Sequence, residues 1–171
     1  MIPVSKPLIN SDAIRKVNIA LKDGWVSSRG KFVNQFEKKL KNYFSAKYVS
    51  TCSNGTAALM LALKALDIKS NDEVIVPDLS YAASINSIIN VGAKPVICEI
   101  DKDTWCIDPN KIREKITKRT KAVMVVHLYG QACDMKNISK ICRKNNLYII
   151  EDAAEAFGSK LNGKFLGTFG D

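Results

Sequence analysis

The chain has 171 residues, of which 46% are hydrophobic and 25% charged, the composition of one ordinary globular domain. This composition excludes a disordered, collagen-like or low-complexity chain. No apolar run approaches the roughly 20 residues that a membrane span needs, and residues 1–6 do not resemble a signal peptide. We therefore expect no membrane partner.

The net charge of the chain is +9 at neutral pH. Three interpretations are open: solvated helix faces, attraction to an anionic substrate such as a nucleotide phosphate, or nucleic-acid binding. The lysines and arginines are scattered over predicted helix faces, without a basic stripe or interleaved aromatic residues. We therefore expect no nucleic-acid partner.

The cysteines neither form a disulfide framework nor have the spacing of zinc ligands, because their number is odd and no C-x-x-C pair occurs. We expect reduced thiols, mostly in the core, in a cytoplasmic protein without a metal site. They are Cys52, Cys98, Cys106, Cys133 and Cys142.

In chain order, two amphipathic helices are predicted first, over residues 11–23, with Ser11 as the cap and Gly24 as the stop, and over residues 31–44. Short apolar runs without alternation follow, which is typical of strands buried on both faces. These predicted strands are residues 48–52, 73–76, 95–100, 122–126 and 147–150. Helical stretches lie between them, at residues 56–66, 82–91, 109–116 and 135–145.

Strands that alternate with helices predict an α/β fold, in which a mostly parallel sheet is covered by helices on both faces as three layers. Near the end of the chain, residues 159–166 predict a small hairpin, because Asn162-Gly163 suits a type I′ turn. No linker and no internal repeat is apparent.

Polar residues follow four of the five predicted strands, where ligands bind in parallel sheets. Ser53-Asn54-Gly55-Thr56 opens a helix after the first strand and is either an anion site at a helix N-terminus or an ordinary cap. Neither a P-loop nor a G-x-G-x-x-G sequence occurs. A P-loop nucleotide hydrolase or a standard NAD-binding domain is therefore disfavoured.

Three further side chains at these strand ends have two interpretations each. Asp152 is either functional or a helix cap, since a buried carboxylate needs a partner. His127, the only histidine, is either a structural hydrogen-bonding residue or a catalytic one. Tyr81 either packs in the core or offers its ring to a flat aromatic ligand.

Together these motifs resemble the N-terminal part of the nucleotide-sugar aminotransferases, the DegT/StrS-type branch of the fold type I enzymes that use pyridoxal 5′-phosphate. Within this family, residues 25–31 and 105–109 look most like a subgroup of GDP-sugar 4-aminotransferases. The matching stretches are residues 24–33, 53–59, 72–77, 91–96, 117–122, 126–130, 151–158 and 167–171.

The resemblance implies a cofactor site at these residues. Gly55 and Thr56 would hold the cofactor phosphate through their backbone, and Tyr81 would stack on the pyridine ring. Asp152 would pair with the ring nitrogen and keep it protonated, because a nearby opposite charge favours the charged form.

The resemblance assigns less definite roles to four other residues. Glu155 stands where many relatives have Gln near the ring hydroxyl. His127 would lie near the cofactor or the sugar and is a candidate catalytic residue. Ser28 and Arg29 are candidate substrate contacts, on a segment from residue 25 to residue 31 that is expected to face the partner subunit of a homodimer.

The Schiff-base lysine of the family would lie beyond residue 171, and Lys160 and Lys164 do not match it. We therefore expect residues 1–171 to be an incomplete large, cofactor-binding domain, without the rest of the sheet and without the small C-terminal domain. Alone, it is expected to be inactive.

The implied function is amino transfer from an amino acid such as glutamate to a nucleotide-linked keto-sugar, for amino-sugar and O-antigen polysaccharide synthesis. Two alternatives stay open. One is a catalytically inactive fragment that at most binds the cofactor or a partner. The other is a sugar dehydratase of the same family, in which histidine replaces the lysine.

Overall fold

The computed structural model describes residue 2 and residues 6–171, which form two compact units, Met1–Thr51 and Cys52–Asp171. The first unit contains helices α1 (Ser11–Lys22) and α2 (Lys31–Phe44), as predicted. The predicted cap of α1 is wrong by one residue. Asn10 caps the helix, because its side chain accepts the N–H of Ala13 at 2.8 Å.

The strand predicted at residues 48–52 does not form. The N–H and the hydroxyl of Thr51 both donate to Oε1 of Glu37, each at 2.9 Å, so a side chain takes the place of a neighbouring strand. Tyr48 is 80% exposed, whereas a strand buried on both faces would cover this side chain.

The second unit is built on a sheet of four parallel strands, and the predicted parallel sheet is confirmed with four strands instead of five. The strands lie in the order β2-β1-β3-β4. Their bounds are β1 (Glu73–Pro77), β2 (Lys94–Cys98), β3 (Thr120–Val126) and β4 (Tyr148–Asp152).

The predicted helices between the strands are present, with ends that differ from the prediction by at most one residue. They are α3 (Gly55–Ala65), α4 (Ala82–Asn90), α5 (Pro109–Lys115) and α6 (Met135–Asn145). The predicted hairpin is also confirmed, as the antiparallel pair β5 (Lys160–Leu161) and β6 (Lys164–Phe165). Its turn residues Asn162 and Gly163 both have left-handed backbones, with φ of 52° and 81°.

Alternate residues of β1, β3 and β4 face two separate cores, which makes the unit a three-layer α/β/α structure. Ile75, Val123 and Ile149 pack with Ile112 of α5 and Ile138 of α6. On the other face, Val74, Met124 and Ile150 of the sheet form a second core. They pack with Leu63 of α3 and Ile88 of α4.

Because side chains alternate along a strand, the last two residues of β4 point in opposite directions. Glu151 shares a face with Ile149, and Asp152 shares a face with Ile150. The carboxylates of Glu151 and Asp152 therefore lie on opposite faces of the sheet and contact different residues.

All five cysteines are free thiols, and four of them are buried, as expected for core residues. In the described part of the chain, each helix is too short or too polar to cross a bilayer.

Candidate functional site

A cavity of about 370 Å³ opens at the carboxyl edge of the sheet, within the second unit. This volume lies in the range of small-molecule sites, about 300–1,000 Å³. All five residues singled out as cofactor-binding candidates from the sequence line it: Gly55, Thr56, Tyr81, Asp152 and Glu155. The other lining residues are Asn54, Leu59, Ala83, Val126, Leu128 and Ala154.

One wall of the cavity is the N-terminus of α3. Asn54 caps this helix, since its Oδ1 accepts the N–H of Ala57 at 2.9 Å. The N–H groups of a first helical turn have no intrahelical acceptor, so those of Gly55 and Thr56 are available to a ligand. Together with the positive end of the helix dipole, they make this wall suited to an anion such as a phosphate.

Another part of the cavity lining is the carboxylate of Asp152 at the end of β4. Oδ2 accepts the hydroxyl of Ser84 at 2.8 Å, and Oδ1 accepts the N–H of Ala154 at 3.2 Å. The backbone carbonyl of Asp152 accepts the N–H of His127 at 3.0 Å, which extends the β3–β4 ladder. Both the backbone and the side chain of Asp152 are therefore held in place.

Tyr81 precedes α4 and is 77% exposed, so its ring does not pack in the core. Glu155 accepts the backbone N–H of Tyr129 at 2.8 Å through Oε2. Tyr129 has a left-handed backbone, with φ of 51°, a conformation that bulky side chains rarely adopt. Glu155 therefore has a local role at the edge of the cavity: it fixes the turn at Tyr129.

His127 does not line the cavity, so the expectation that it contacts a ligand there is not supported. Its side chain is fully buried on the opposite face of the sheet. Nδ1 accepts the N–H of Cys133 at 3.2 Å, which leaves the ring proton on Nε2, and Nε2 lies 2.9 Å from Oε2 of Glu151. The structure therefore favours the structural interpretation of this histidine.

Glu151 accepts several hydrogen bonds from the backbone of residues 167–170. Its carboxylate accepts the N–H groups of Gly167, Phe169 and Gly170 in addition to the imidazole of His127. Burial alone would raise the pKa of Glu151. The hydrogen bonds from His127 and then from Gly170 and Gly167 outweigh this effect and hold the pKa below its ordinary value.

Ser28 and Arg29 lie in the first unit, immediately before α2, and both are exposed. Sequence reasoning missed Ser84 and Glu151 as residues that act at this edge of the sheet. Ser84 follows Tyr81 by three residues on α4, and the alternation of β4 places Glu151 opposite Asp152. The alternation that places Glu151 could be seen in the sequence, whereas the contact of Ser84 with Asp152 depends on how α4 packs on the sheet.

A three-layer α/β/α unit with this cavity at the carboxyl ends of its parallel strands has the fold of the fold type I aminotransferases. The chain belongs to the DegT/DnrJ/EryC1/StrS aminotransferase family, whose sequence profile matches residues 7–171.

Named relatives show how far this likeness extends. GDP-perosamine synthase from Vibrio cholerae is 47% identical over 171 residues, which is 100% of this chain and 47% of that protein. The dTDP-3-amino-3,6-dideoxy-alpha-D-galactopyranose transaminase from Aneurinibacillus thermoaerophilus is 52% identical over 155 residues, 91% of this chain and 42% of that one. The predicted resemblance to this family is thus confirmed, with GDP-perosamine synthase among the similar relatives.

A solved structure matches as well. The putative sugar aminotransferase Spr1654 from Streptococcus pneumoniae, in its PLP form, is 32% identical with a TM-score of 0.95, over 99% of this chain and 47% of that chain. The chain spans about half the length of the relatives it matches.

Proposed function

We propose that this chain forms the cofactor-binding part of a pyridoxal phosphate-dependent aminotransferase that acts on a nucleotide-linked keto-sugar. One observation carries the proposal. A single cavity combines an anion-binding helix N-terminus, an exposed aromatic ring and a fixed carboxylate. Family membership supports amino transfer as the reaction.

The donor set of the cavity fits a phosphorylated pyridine. The N–H groups of Gly55 and Thr56 would hold the phosphate, and the ring of Tyr81 would stack on the pyridine. Asp152 would accept a hydrogen bond from the protonated ring nitrogen. When bound, the cofactor supplies the electron sink that stabilises a carbanion next to the substrate nitrogen.

The residues of this chain contribute binding, orientation and proton retention. Asp152 would keep the proton on the ring nitrogen, because its negative charge favours the protonated ring. Glu155 orients the turn at Tyr129 through its hydrogen bond to that backbone N–H. We assign no proton-transfer step to His127, which is buried and hydrogen-bonded on the other face.

The proposed substrates are a nucleotide-linked keto-sugar and an amino donor such as glutamate. Relatives named for GDP- and dTDP-linked sugars support this substrate class, and the net charge of +9 favours an anionic nucleotide. We extend the proposal to a homodimer, with Ser28 and Arg29 as substrate contacts. The free thiols support a reducing compartment such as the cytoplasm.

We propose further that residues 1–171 do not contain the Schiff-base lysine. Nζ of Lys160 lies 4.2 Å from the ring centroid of Phe165, and Nζ of Lys164 lies 4.5 Å from that of Phe169. Both amines are thus engaged with aromatic rings at the hairpin, and neither residue lines the cavity. On this proposal, the 171-residue chain alone does not catalyse amino transfer.

An assay of the full-length protein, of which residues 1–171 form the proposed cofactor-binding part, tests the proposed function. This full-length protein is called the intact protein below. Purified protein is incubated with pyridoxal phosphate, glutamate and a GDP- or dTDP-linked keto-sugar, and the amino sugar and 2-oxoglutarate are quantified. We expect both products in equal amounts. Sugar deoxygenation without 2-oxoglutarate would instead indicate a dehydratase, and no product with any keto-sugar would contradict the proposal.

Asp152→Asn is the matched variant for this assay, because it removes the charge and preserves the size. We expect turnover to fall by about two orders of magnitude or more, each factor of ten corresponding to about 1.4 kcal/mol. Asp134→Asn is the control, since Asp134 caps α6 and does not line this cavity. Wild-type turnover in Asp152→Asn would contradict the role of Asp152.

A further inference from the structure

We propose that Ser84 is the positioning residue that aims the carboxylate of Asp152 into the cavity. This inference rests on the proposed function, in which Asp152 accepts a hydrogen bond from a protonated ring nitrogen. Ser84 is fully buried, and its hydroxyl donates to Oδ2 of Asp152 at 2.8 Å.

Ser84 is itself held rigidly in the first turn of α4. Its N–H donates to the carbonyl of Tyr81 at 3.2 Å, and its own carbonyl accepts the hydroxyl of Ser87 at 2.8 Å. Ser84 therefore joins two residues that line the same cavity, Tyr81 and Asp152. A shift at this serine would change the position of both.

The remaining contacts of Asp152 do not fix its carboxylate in the same way. The hydrogen bond from His127 reaches the backbone carbonyl of Asp152, and only the N–H of Ala154, at 3.2 Å, donates to Oδ1. Side-chain rotation about χ1 and χ2 is therefore restrained chiefly by Ser84. A binding group whose rotamer is held by a neighbour avoids the cost of being ordered when the ligand arrives.

The hydrogen bond also bears on the charge of the site. A neutral hydroxyl that donates to a carboxylate stabilises the negative charge without neutralising it. Each carboxylate oxygen retains a further lone pair for a donor in the cavity. Ser84 thus orients the carboxylate and leaves it able to accept from a ligand.

The test compares two ligands that differ only at the ring nitrogen. One is pyridoxamine 5′-phosphate, and the other is its analogue with C–H in place of that nitrogen. Both bind without a covalent bond to lysine, so their affinities for the intact apoprotein are equilibrium constants, measured by calorimetry. The ratio of the two dissociation constants reports the contact between Asp152 and the ring nitrogen.

In the Ser84→Ala variant we expect the affinity for pyridoxamine 5′-phosphate to fall about tenfold, since hydrogen bonds to charged groups are worth at least a factor of this size. The affinity for the analogue should stay within about twofold, because its ring C–H makes no hydrogen bond with the carboxylate that Ser84 orients. Asp152→Asn should abolish the preference between the ligands.

Thr120→Val is the matched control, since Thr120 is also buried but its hydroxyl accepts the N–H of Thr117, away from this cavity. It should keep the wild-type ratio. If Ser84→Ala does not fold, Ser84→Cys keeps a weaker donor on a slightly larger side chain, and its ratio should lie between those of the wild type and Asp152→Asn.

The outcomes separate this inference from the proposed function. If Asp152→Asn loses the preference while Ser84→Ala or Ser84→Cys keeps it, the role of Ser84 is wrong and the cofactor site stands. Equal loss of affinity for both ligands in Ser84→Ala would also overturn the inference, because it would indicate a purely structural role. A wild-type protein that binds neither ligand would overturn both proposals.

Discussion

Nε2 of His127 lies 2.9 Å from Oε2 of Glu151, and both side chains are almost completely buried, with exposed fractions of 0% and 3%. The pair lies on the face of the sheet opposite Asp152. Glu151 also accepts hydrogen bonds from the backbone N–H groups of Gly167 and Gly170. The only histidine of the chain therefore supports the strand end that carries Asp152, without entering the cavity.

The first prediction concerns this buried carboxylate. Glu151→Gln replaces one acceptor oxygen by an NH₂ group, which would face the N–H groups that Glu151 now accepts. We expect the free energy of unfolding to fall by about 2–3 kcal/mol, because buried donors lose their acceptor. Urea denaturation of the intact protein measures the change.

Glu114→Gln is the control for this substitution. Glu114 is exposed and pairs with Lys111 at 3.0 Å, so its loss should leave the free energy of unfolding nearly unchanged. Equal stability of Glu151→Gln and the wild type would show that the Glu151 network does not stabilise the fold.

The second prediction concerns Gly170, which approaches the backbone of β4 closely. A Cβ at this position would lie 2.5 Å from the carbonyl oxygen of Ile149. Gly170→Ala should therefore lower the free energy of unfolding by about 1–3 kcal/mol, as overpacking does. Gly55→Ala is the control, since its Cβ would meet no atom within 4 Å. An unchanged melting temperature for Gly170→Ala would contradict the close approach of Gly170 to β4.

The third prediction concerns acid stability and Glu73, buried at the start of β1, where Thr117 and Arg119 donate to its carboxylate. The hydrogen bond from Thr117 and then the charge of Arg119 hold the pKa of Glu73 below its ordinary 4.5, against the opposing effect of burial. A lowered pKa stabilises the fold above pH 4.5, and this contribution is lost as the pH falls through the folded-state value.

Below pH 4.5, the unfolding free energy of the wild type should therefore fall more steeply than that of Glu73→Gln, which should already be less stable at neutral pH. Denaturation curves recorded at a series of pH values measure both slopes. Parallel slopes for the two proteins would contradict this account of Glu73.

The fourth prediction concerns the anion-binding wall of the cavity. Asn54→Ala removes the cap of α3 and should lower stability by about 1 kcal/mol. It should also weaken the binding of inorganic phosphate to the apoprotein, because the first turn of the helix loses its fixed geometry. Asp134→Ala removes the cap of α6 and is the control, since it should lower stability without changing the affinity for phosphate. Equal phosphate affinity in the wild type and Asn54→Ala would contradict the prediction.

Most of the fold followed from the sequence because its signals are local. Buried runs such as residues 122–126 show no alternation, which identified strands covered on both faces, and Asn162-Gly163 identified the hairpin. The run at residues 48–52 has the same character and was predicted wrongly. Its Thr51 is held by Glu37, fourteen residues away, and such a side-chain contact leaves no pattern in the run itself.

The site was predicted in part for a similar reason. A strand-end position indicates the edge of a sheet, which brought Tyr81 and Asp152 to one cavity. Thr56 follows a run that forms no strand and reaches the same cavity in the first turn of α3. A strand-end position does not indicate the face, and His127 lies on the face of Val125 while the cavity opens on the face of Val126. Ser84 was missed because its contact with Asp152 depends on how α4 packs on the sheet.

The central claim, that the cavity between α3 and Asp152 holds pyridoxal phosphate, is tested most directly by a crystal structure of the intact protein grown with this cofactor. We predict density for the phosphate at the N–H groups of Gly55 and Thr56, for the ring against Tyr81, and for the ring nitrogen at the carboxylate of Asp152. A cofactor bound elsewhere, or bound with its ring nitrogen away from Asp152, would contradict the account.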